Sequence, residues 1–140
     1  MANLYLESSA VISWLLGEPD AEKVRHAVDR SATVLTATLT LIESHRALVR
    51  LESQGLVTQA DRQRLRGLLS RESARWALLE LTESVRARAS EPFPIEPVRS
   101  LDAIHLATAL EASALYPDLE VLSFDQRIID NLIPLGLSPT

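Results

Sequence analysis

The stretch that decides the fold runs from Arg99 to Ala114 and reads R-S-L-D-A-I-H-L-A-T-A-L-E-A-S-A. Its apolar and small residues leave few positions that favour water, which predicts a central helix buried through most of its circumference. Ser100 is a suitable N-cap, and this places Asp102 in the first turn. A carboxylate at the rim of a core needs a partner, which backbone N–H groups, the helix dipole or a bound cation can supply.

Length and composition indicate one domain spanning residues 1–140. Hydrophobic residues make up 46% of the 140-residue chain, which is enough for one continuous core. The chain contains no cysteine, which excludes disulfides, thiolate metal sites and cysteine nucleophiles and fits a reducing cytoplasm. It shows neither a secretory leader pattern nor an apolar run of membrane-spanning length, so we expect a cytoplasmic protein with no membrane partner.

The net charge of -5 argues mildly against a nucleic-acid partner, because phosphate binding usually requires a basic surplus. However, every basic residue except Lys23 is an arginine, and arginine favours bidentate contacts to phosphate or carboxylate. A short segment contains Arg62, Arg64, Arg66, Arg71 and Arg75. This cluster is either a contact surface for nucleic acid or a solvated helix face paired with nearby acids.

Apolar strands alternate with helices along the chain. Strands are predicted near residues 3–6, 33–36, 76–81 and 119–123, with a last edge strand from Leu137. This alternation predicts an α/β fold with a mostly parallel sheet covered on both faces, and the apolar run at 76–81 predicts a buried strand. Two helices separated by Gly55 and Thr58 predict a protruding helical hairpin over residues 39–75.

Four acids occupy related places in this pattern: Glu7, Glu43, Asp102 and Asp125. Two of them follow predicted strands, and the other two lie in the first turns of predicted helices. The carboxyl ends of parallel strands meet at one edge of a sheet, so we expect the four side chains to gather there. Clustered carboxylates repel one another, and Mg²⁺, which prefers oxygen ligands, would relieve that repulsion and activate water against a phosphodiester.

Three of these acids also have a purely structural interpretation. Glu43 completes an S/T-x-x-E capping box with Thr40, in which its carboxylate returns to the backbone of the cap. Asp125 is a suitable N-cap, and Asp102 complements the dipole of its helix. Taken singly, each acid is better explained by capping than by metal binding.

Glu7 has no such routine explanation, because Ser8 and Ser9 are available to cap the helix that follows it. His105 lies about one helical turn after Asp102. It is either a neighbour of that acid or a core histidine with a hydrogen-bonded ring, and the second environment is the commoner one.

These motifs resemble those of the PIN domains, in particular the toxin ribonucleases of VapBC-type toxin–antitoxin pairs. The strongest match is S-L-D-A-I-H-L-A-T-A-L at 100–110, which is similar to the family's D-A-hydrophobic-H-L-A-T-A helix. The other matches are E-S-S-A at 7–10, L-T-L-I-E-S-H-R-A-L at 39–48 and L-S-F-D-Q-R-I at 122–128. The resemblance covers most of the chain and implies a single PIN-like domain with three α/β/α layers.

The resemblance also implies an activity, a cofactor and partners. It implies endonuclease cleavage of RNA at a Mg²⁺ or Mn²⁺ site, a homodimer, and an antitoxin peptide that offers an Arg or Lys to the acidic groove. The helical hairpin at 39–75 is where such a partner or a second subunit would dock. The site residues that it implies are Glu7, Glu43, Asp102 and Asp125, with Ser8 and Ser123 as polar helpers.

Glu7 departs from the family pattern, which usually has Asp at this position. Its extra methylene moves the carboxylate by roughly one carbon–carbon bond, a displacement that lowers rates where catalytic geometry is tight. Two functions are therefore expected from the sequence. The first is a metal-dependent ribonuclease, with activity reduced by Glu7, and the alternative is a PIN-fold binding module with weak or no catalysis.

Overall fold

In the computed structural model, residues 2–140 form a parallel sheet and the helices that connect its strands. The strands are β1 (Leu4–Leu6), β2 (Val34–Ala37), β3 (Ala77–Leu79), β4 (Glu120–Leu122) and β5 (Ser138–Pro139). The helices are α1 (Ser8–Leu15), α2 (Ala21–Asp29), α3 (Thr38–Ser53), α4 (Gln59–Ser73), α5 (Glu83–Ala89), α6 (Ser100–Leu115) and α7 (Gln126–Leu132), and a 3-10 turn (Ile133–Leu135) follows α7.

β1 lies at the centre of the sheet, whose strand order is β3-β2-β1-β4-β5 with every neighbouring pair parallel. The prediction of a mostly parallel sheet is therefore confirmed. β1 and β2 are buried along their whole length, as expected for strands covered on both faces. Because β1 pairs with both β2 and β4, the carboxyl ends of these three strands meet at one edge of the sheet.

Alternate residues of β1 face two separate cores. Leu4 and Leu6 pack into a cluster with side chains from α1, α2, α3 and α4. Tyr5 points to the opposite face and packs with side chains from α6 and α7. This division follows from the two-residue period of a strand and gives the predicted three α/β/α layers.

α6 is the central helix that the sequence predicts, and it begins with Ser100 as its first helical residue rather than as its cap. Its side chains Ala103, Leu106, Ala109 and Ala112 belong to the second core, and Leu106 is 1% exposed. Small alanine side chains let the helix pack closely against its neighbours. Within residues 2–140, no helix combines the length and the apolar character that crossing a membrane requires.

β3 is shorter and less buried than the sequence predicts. The expected buried strand over residues 76–81 is reduced to Ala77–Leu79, and Leu78 is 40% exposed. β3 is an edge strand: among residues 2–140 it pairs only with β2, so one of its sides has no neighbouring strand there. The apolar run does not reveal this difference, because a short apolar run does not show how many strands lie beside it.

The predicted helical hairpin is formed by α3 and α4. Leu48 of α3 and Leu65 and Leu69 of α4 anchor it to the first core, whereas Leu56 at its tip is 68% exposed. Thr58 caps α4, because its hydroxyl accepts a hydrogen bond from the backbone N–H of Asp61 at 3.0 Å. The hairpin therefore protrudes from an anchored base, as expected.

The arginine cluster of the hairpin is largely paired with acids. Salt bridges join Arg62 to Glu52, Arg64 to Asp61 and Arg75 to Glu72. Within the described part of the chain, the two remaining members of the cluster, Arg66 and Arg71, make no salt bridge. The solvated, ion-paired helix face, one of the two expected readings, accounts for most of this segment.

Candidate functional site

The four acids that the sequence singles out line one pocket at the carboxyl edge of the sheet. The pocket has a volume of about 520 Å³ and is lined by Glu7, Ser8, Ser9, Ile12, Glu43, Arg99, Ser100, Leu101, Asp102 and Asp125. β1 ends just before Glu7, whose backbone N–H bonds the carbonyl of Leu122 at the end of β4. The parallel arrangement of central strands therefore brings together side chains that are far apart in sequence.

Glu7 lies at the floor of the pocket and is 3% exposed. Its Oε2 accepts hydrogen bonds from the backbone N–H of Ser9 at 2.9 Å, from the hydroxyl of Ser9, and from the hydroxyl of Ser123 at 2.9 Å. Its Oε1 accepts from the hydroxyl of Ser8 at 3.0 Å. Four donors thus compensate the buried charge of this carboxylate.

Glu7 is also the N-cap of α1, which corrects the expectation that it has no capping role. The two serines that were expected to cap lie inside α1 and turn their hydroxyls back to the Glu7 carboxylate. The longer side chain of Glu reaches the backbone N–H of Ser9 from the cap position. The carboxylate is consequently directed to the start of α1.

Arg99 bridges Asp102 and Asp125, two other acids of the pocket lining. Its Nε donates to Asp102 Oδ2 at 3.1 Å, and its Nη2 donates to Asp125 Oδ2 at 3.2 Å. Asp125 is the N-cap that the sequence predicts and accepts from the backbone N–H of Arg127, and Asp102 lies in the first turn of α6 as predicted and accepts from the backbone N–H of Arg99. The hydrogen bond and the charge of Asp102 raise the pKa of Arg99, so its guanidinium stays protonated and balances part of the negative charge of the two carboxylates.

Glu43 is held by His105, and its predicted capping box is wrong. α3 begins at Thr38, so Glu43 lies in the second turn, and the hydroxyl of Thr40 accepts instead from Thr36 at 2.8 Å. His105 Nε2 lies 2.6 Å from Glu43 Oε1. Of the two environments expected for His105, the buried and hydrogen-bonded core position is correct, with Glu43 rather than Asp102 as its acidic partner.

Tyr5 completes a buried chain of hydrogen bonds behind Glu43. Its hydroxyl lies 2.9 Å from His105 Nδ1 and is itself fully buried. Burial, followed by the negative charge of Glu7, raises the pKa of Tyr5 well above its ordinary value, so the hydroxyl stays protonated. We assign the ring from this network: Tyr5 donates to Nδ1, and Nε2–H donates to Glu43.

The ionisation of Tyr5 provides a direct check of this buried network. In a Tyr116→Phe variant, where Tyr5 is the remaining tyrosine, we expect no phenolate absorbance near pH 10 while the protein is folded. The pKa of Tyr5 is raised in the folded state, so its contribution to the free energy of unfolding is fully present below about pH 10, the ordinary pKa of tyrosine in the unfolded chain. This contribution is lost as the pH rises above that value. Ultraviolet absorbance and circular dichroism followed together in an alkaline titration test this, and phenolate formation before unfolding would contradict it.

The carboxylate groups of the pocket are suitable ligands for a hard divalent cation, although they already form hydrogen bonds with neighbouring side chains. All four candidate ligands are carboxylates, the donors that Mg²⁺ and Mn²⁺ prefer. Asp102 Oδ1 and Glu43 Oε2 accept no hydrogen bond from residues 2–140. In this arrangement, the described residues contain no group of three or more His, Asp or Glu side chains placed to hold a metal ion, and Arg99 is the cation shared by Asp102 and Asp125.

Ser9 and Arg99, whose side chains contact the acids of the pocket, were not predicted as site residues from the sequence. Ser9 links Glu7 to the segment that follows β4, because its hydroxyl also accepts from the backbone N–H of Phe124 at 2.8 Å. In the sequence, Arg99 stands at the start of the predicted central helix and has no predicted role in the site. The one local signal for Arg99 is its spacing of three residues from Asp102, a distance at which opposite charges meet near a helix end.

The sequence profile of the PIN domain matches residues 4–131. Ribonuclease VapC46 of Mycobacterium tuberculosis (strain ATCC 25618 / H37Rv) is 32% identical over 139 residues, which cover 99% of this chain and 96% of that protein. Ribonuclease VapC35 of the same strain is 28% identical over 137 residues, which cover 96% of this chain and 93% of that protein.

Solved structures share this fold at low sequence identity. FitAcB from Neisseria gonorrhoeae superimposes with a TM-score of 0.72 at 17% identity, over 97% of this chain and 95% of that chain. A toxin–antitoxin complex from Klebsiella pneumoniae superimposes with a TM-score of 0.59 at 17% identity, over 90% of this chain and 89% of that chain. At sequence identities this low, the structural similarity shows a shared fold and nothing further.

Proposed function

Because this chain belongs to the PIN domain family, we propose that it is a metal-dependent endoribonuclease and the toxin of a cytoplasmic toxin–antitoxin pair. Its similarity to two proteins named ribonuclease extends over nearly the whole chain and supports the nuclease activity. The observation that carries the proposal is the pocket in which Glu7, Glu43, Asp102 and Asp125 meet. Phosphodiester hydrolysis by a metal-activated water requires such a group of oxygen donors.

In the proposed mechanism, Asp102, Asp125 and Glu43 would hold Mg²⁺ or Mn²⁺. The bound ion would lower the pKa of a water and neutralise charge on the scissile phosphate. Glu7 completes the acidic wall, but its oxygens are engaged by the hydroxyls of Ser8, Ser9 and Ser123. These serines therefore act as positioning residues for Glu7.

The chain's own residues fix the orientation of Glu43 before RNA arrives. The His105 ring is 2% exposed and is held between Tyr5 and Glu43, so it cannot rotate without breaking a buried hydrogen bond. A carboxylate fixed in this way loses little freedom on binding a cation, which is the usual role of a hydrogen-bonded neighbour behind a ligand. We assign His105 as a positioning residue.

The test of the proposal is RNA cleavage by the purified protein with and without divalent cations. We expect cleavage with added Mg²⁺ or Mn²⁺, loss of cleavage in EDTA, and recovery when excess metal is restored. Asp102→Asn protein, purified identically, controls for contaminating ribonucleases. Cleavage that persists in EDTA would contradict metal dependence, and the lack of cleavage with either metal would remove the nuclease proposal.

The proposed partners are a cognate antitoxin and a second copy of this chain. The toxin–antitoxin complex that shares this fold supports the antitoxin, and the pocket already accepts a guanidinium between Asp102 and Asp125. A partner arginine or lysine would find the same carboxylates. Ile42 and Leu56 of the hairpin are 60% and 68% exposed, which supports the hairpin as a contact surface for either partner.

The engagement of the carboxylates favours a second candidate function, a PIN-fold binding module with little catalysis. Glu7 is satisfied by four hydrogen bonds, and Arg99 neutralises part of the charge of Asp102 and Asp125. Calorimetry with Mg²⁺ separates the two functions. Neither metal binding nor cleavage is expected of the binding module, whereas the nuclease requires both.

A further inference from the structure

Arg99 is the one positively charged residue among the described side chains that line the pocket. Its side chain is 63% exposed, whereas the side chain of Asp102 beside it is 5% exposed. The planar guanidinium uses Nε for Asp102 and Nη2 for Asp125, so a single group spans two of the proposed metal ligands. A cation-binding position therefore exists in this pocket and is filled by a side chain of the protein.

The place of Arg99 at the N-cap of α6 is unfavourable for a cation when the helix alone is considered. The amino terminus of this 16-residue helix carries a partial positive charge, which repels a guanidinium. N-caps also favour short polar side chains, and Arg99 makes no side-chain cap bond. The two carboxylates supply the compensating attraction, so the pocket rather than the helix explains an arginine here.

The charge of the pocket creates a problem for an RNA substrate. Four acidic residues line the pocket that a phosphodiester would enter, and like charges at short range repel strongly. One divalent cation balances only part of this negative charge. A guanidinium is well suited to the remaining task, because it binds phosphate oxygens in bidentate fashion.

We propose that Arg99 is the phosphate-binding residue of this pocket, and that its guanidinium would be released to the RNA when Asp102 and Asp125 hold a divalent cation instead. This inference rests on the proposed function and names the residue that contacts the substrate. The exposed, flexible side chain of Arg99 allows the movement, because its guanidinium already lies at the solvent side of the buried Asp102. Metal binding and RNA binding are thereby coupled through one side chain.

The first measurement is the affinity for Mn²⁺ in the absence of RNA, by calorimetry. In wild-type protein the ion must displace Arg99. Arg99→Gln is therefore expected to bind Mn²⁺ about tenfold more tightly, which corresponds to the loss of one competing charge near the surface. Arg127→Gln is the matched control. Arg127 is exposed, lies two residues from Asp125 and makes no salt bridge with the residues that the structure describes, so its loss is expected to leave the affinity unchanged.

The second measurement is the affinity for a fluorescently labelled RNA oligonucleotide, by anisotropy, with Ca²⁺ replacing Mn²⁺. Arg99→Gln is expected to bind the RNA about tenfold more weakly, which corresponds to one lost charge-assisted contact to phosphate. Arg127→Gln again provides the comparison for a general loss of positive charge. The opposite signs of the two effects distinguish this role from a structural one, because a misfolded variant would weaken both affinities.

Tighter Mn²⁺ binding together with weaker RNA binding in Arg99→Gln would support the proposal. An unchanged Mn²⁺ affinity or an unchanged RNA affinity would overturn it, and the proposed ribonuclease function would stand if wild-type protein still cleaves RNA with metal. Should neither wild-type nor Arg99→Gln protein bind Mn²⁺, both the role of Arg99 and the proposed metal dependence would be wrong.

Discussion

Asp102→Asn is expected to lower RNA cleavage by about a hundredfold or more, the range seen when one preorganised electrostatic contact is removed from an active site. Asp102 is 3% exposed at the start of the buried α6, so neighbouring side chains hold its position. Asn has the same shape and still accepts the hydrogen bond from the backbone N–H of Arg99. The helix is therefore expected to stay intact while the negative charge that would hold the metal disappears.

Steady-state cleavage of an RNA substrate with saturating Mn²⁺ measures this effect, and a thermal melt confirms that the variant is folded. Asp130→Asn is a suitable control, because Asp130 is exposed on α7 and does not line the pocket. A cleavage rate for Asp102→Asn within a few-fold of wild type would show that Asp102 is not a ligand of the catalytic metal.

Glu7→Asp is expected to raise RNA cleavage, by about tenfold or more if misplacement of this carboxylate now limits the rate. The Glu7 carboxylate accepts hydrogen bonds from the backbone N–H of Ser9 at the amino terminus of α1 and from the hydroxyl of Ser123, and these bonds fix its position. Asp has one methylene fewer and is an equally good N-cap, so α1 is expected to keep its start. The gain would come from a carboxylate placed about one carbon–carbon bond closer to the backbone, where the family usually has Asp.

The measurement compares cleavage rates of Glu7→Asp and wild-type protein at equal Mn²⁺, with Glu18→Asp as control because Glu18 is exposed and lies outside the pocket. An increase confined to Glu7→Asp would show that Glu7 restrains an otherwise complete active site. If the substitution lowers cleavage, the present position of the Glu7 carboxylate is the productive one, and its hydrogen bonds to the serines belong to the catalytic arrangement.

The errors in the predicted site all concern which residue caps the beginning of a helix. The Thr40–Glu43 capping box has the right residue types, yet α3 begins at Thr38 because β2 runs directly into it. Similarly, Ser8 and Ser9 are good caps by type, but Glu7 at the end of β1 is the N-cap and accepts from the backbone N–H of Ser9. Capping motifs are short and overlap in sequence, so the neighbouring strands decide which residue caps the helix.

By itself the sequence determined the alternation of strands and helices, the central buried helix, the hairpin and the gathering of four acids at one edge of the sheet. These features follow from local periodicity and from the general geometry of parallel sheets. Only the tertiary structure decided which side chains face one another across the pocket. Glu43 meets His105 across 62 residues, Asp125 meets Arg99 across 26, and Ser123 meets Glu7 across 116. Such contacts depend on the relative placement of separate elements to within about an ångström, the tolerance of a hydrogen bond, which no local pattern encodes.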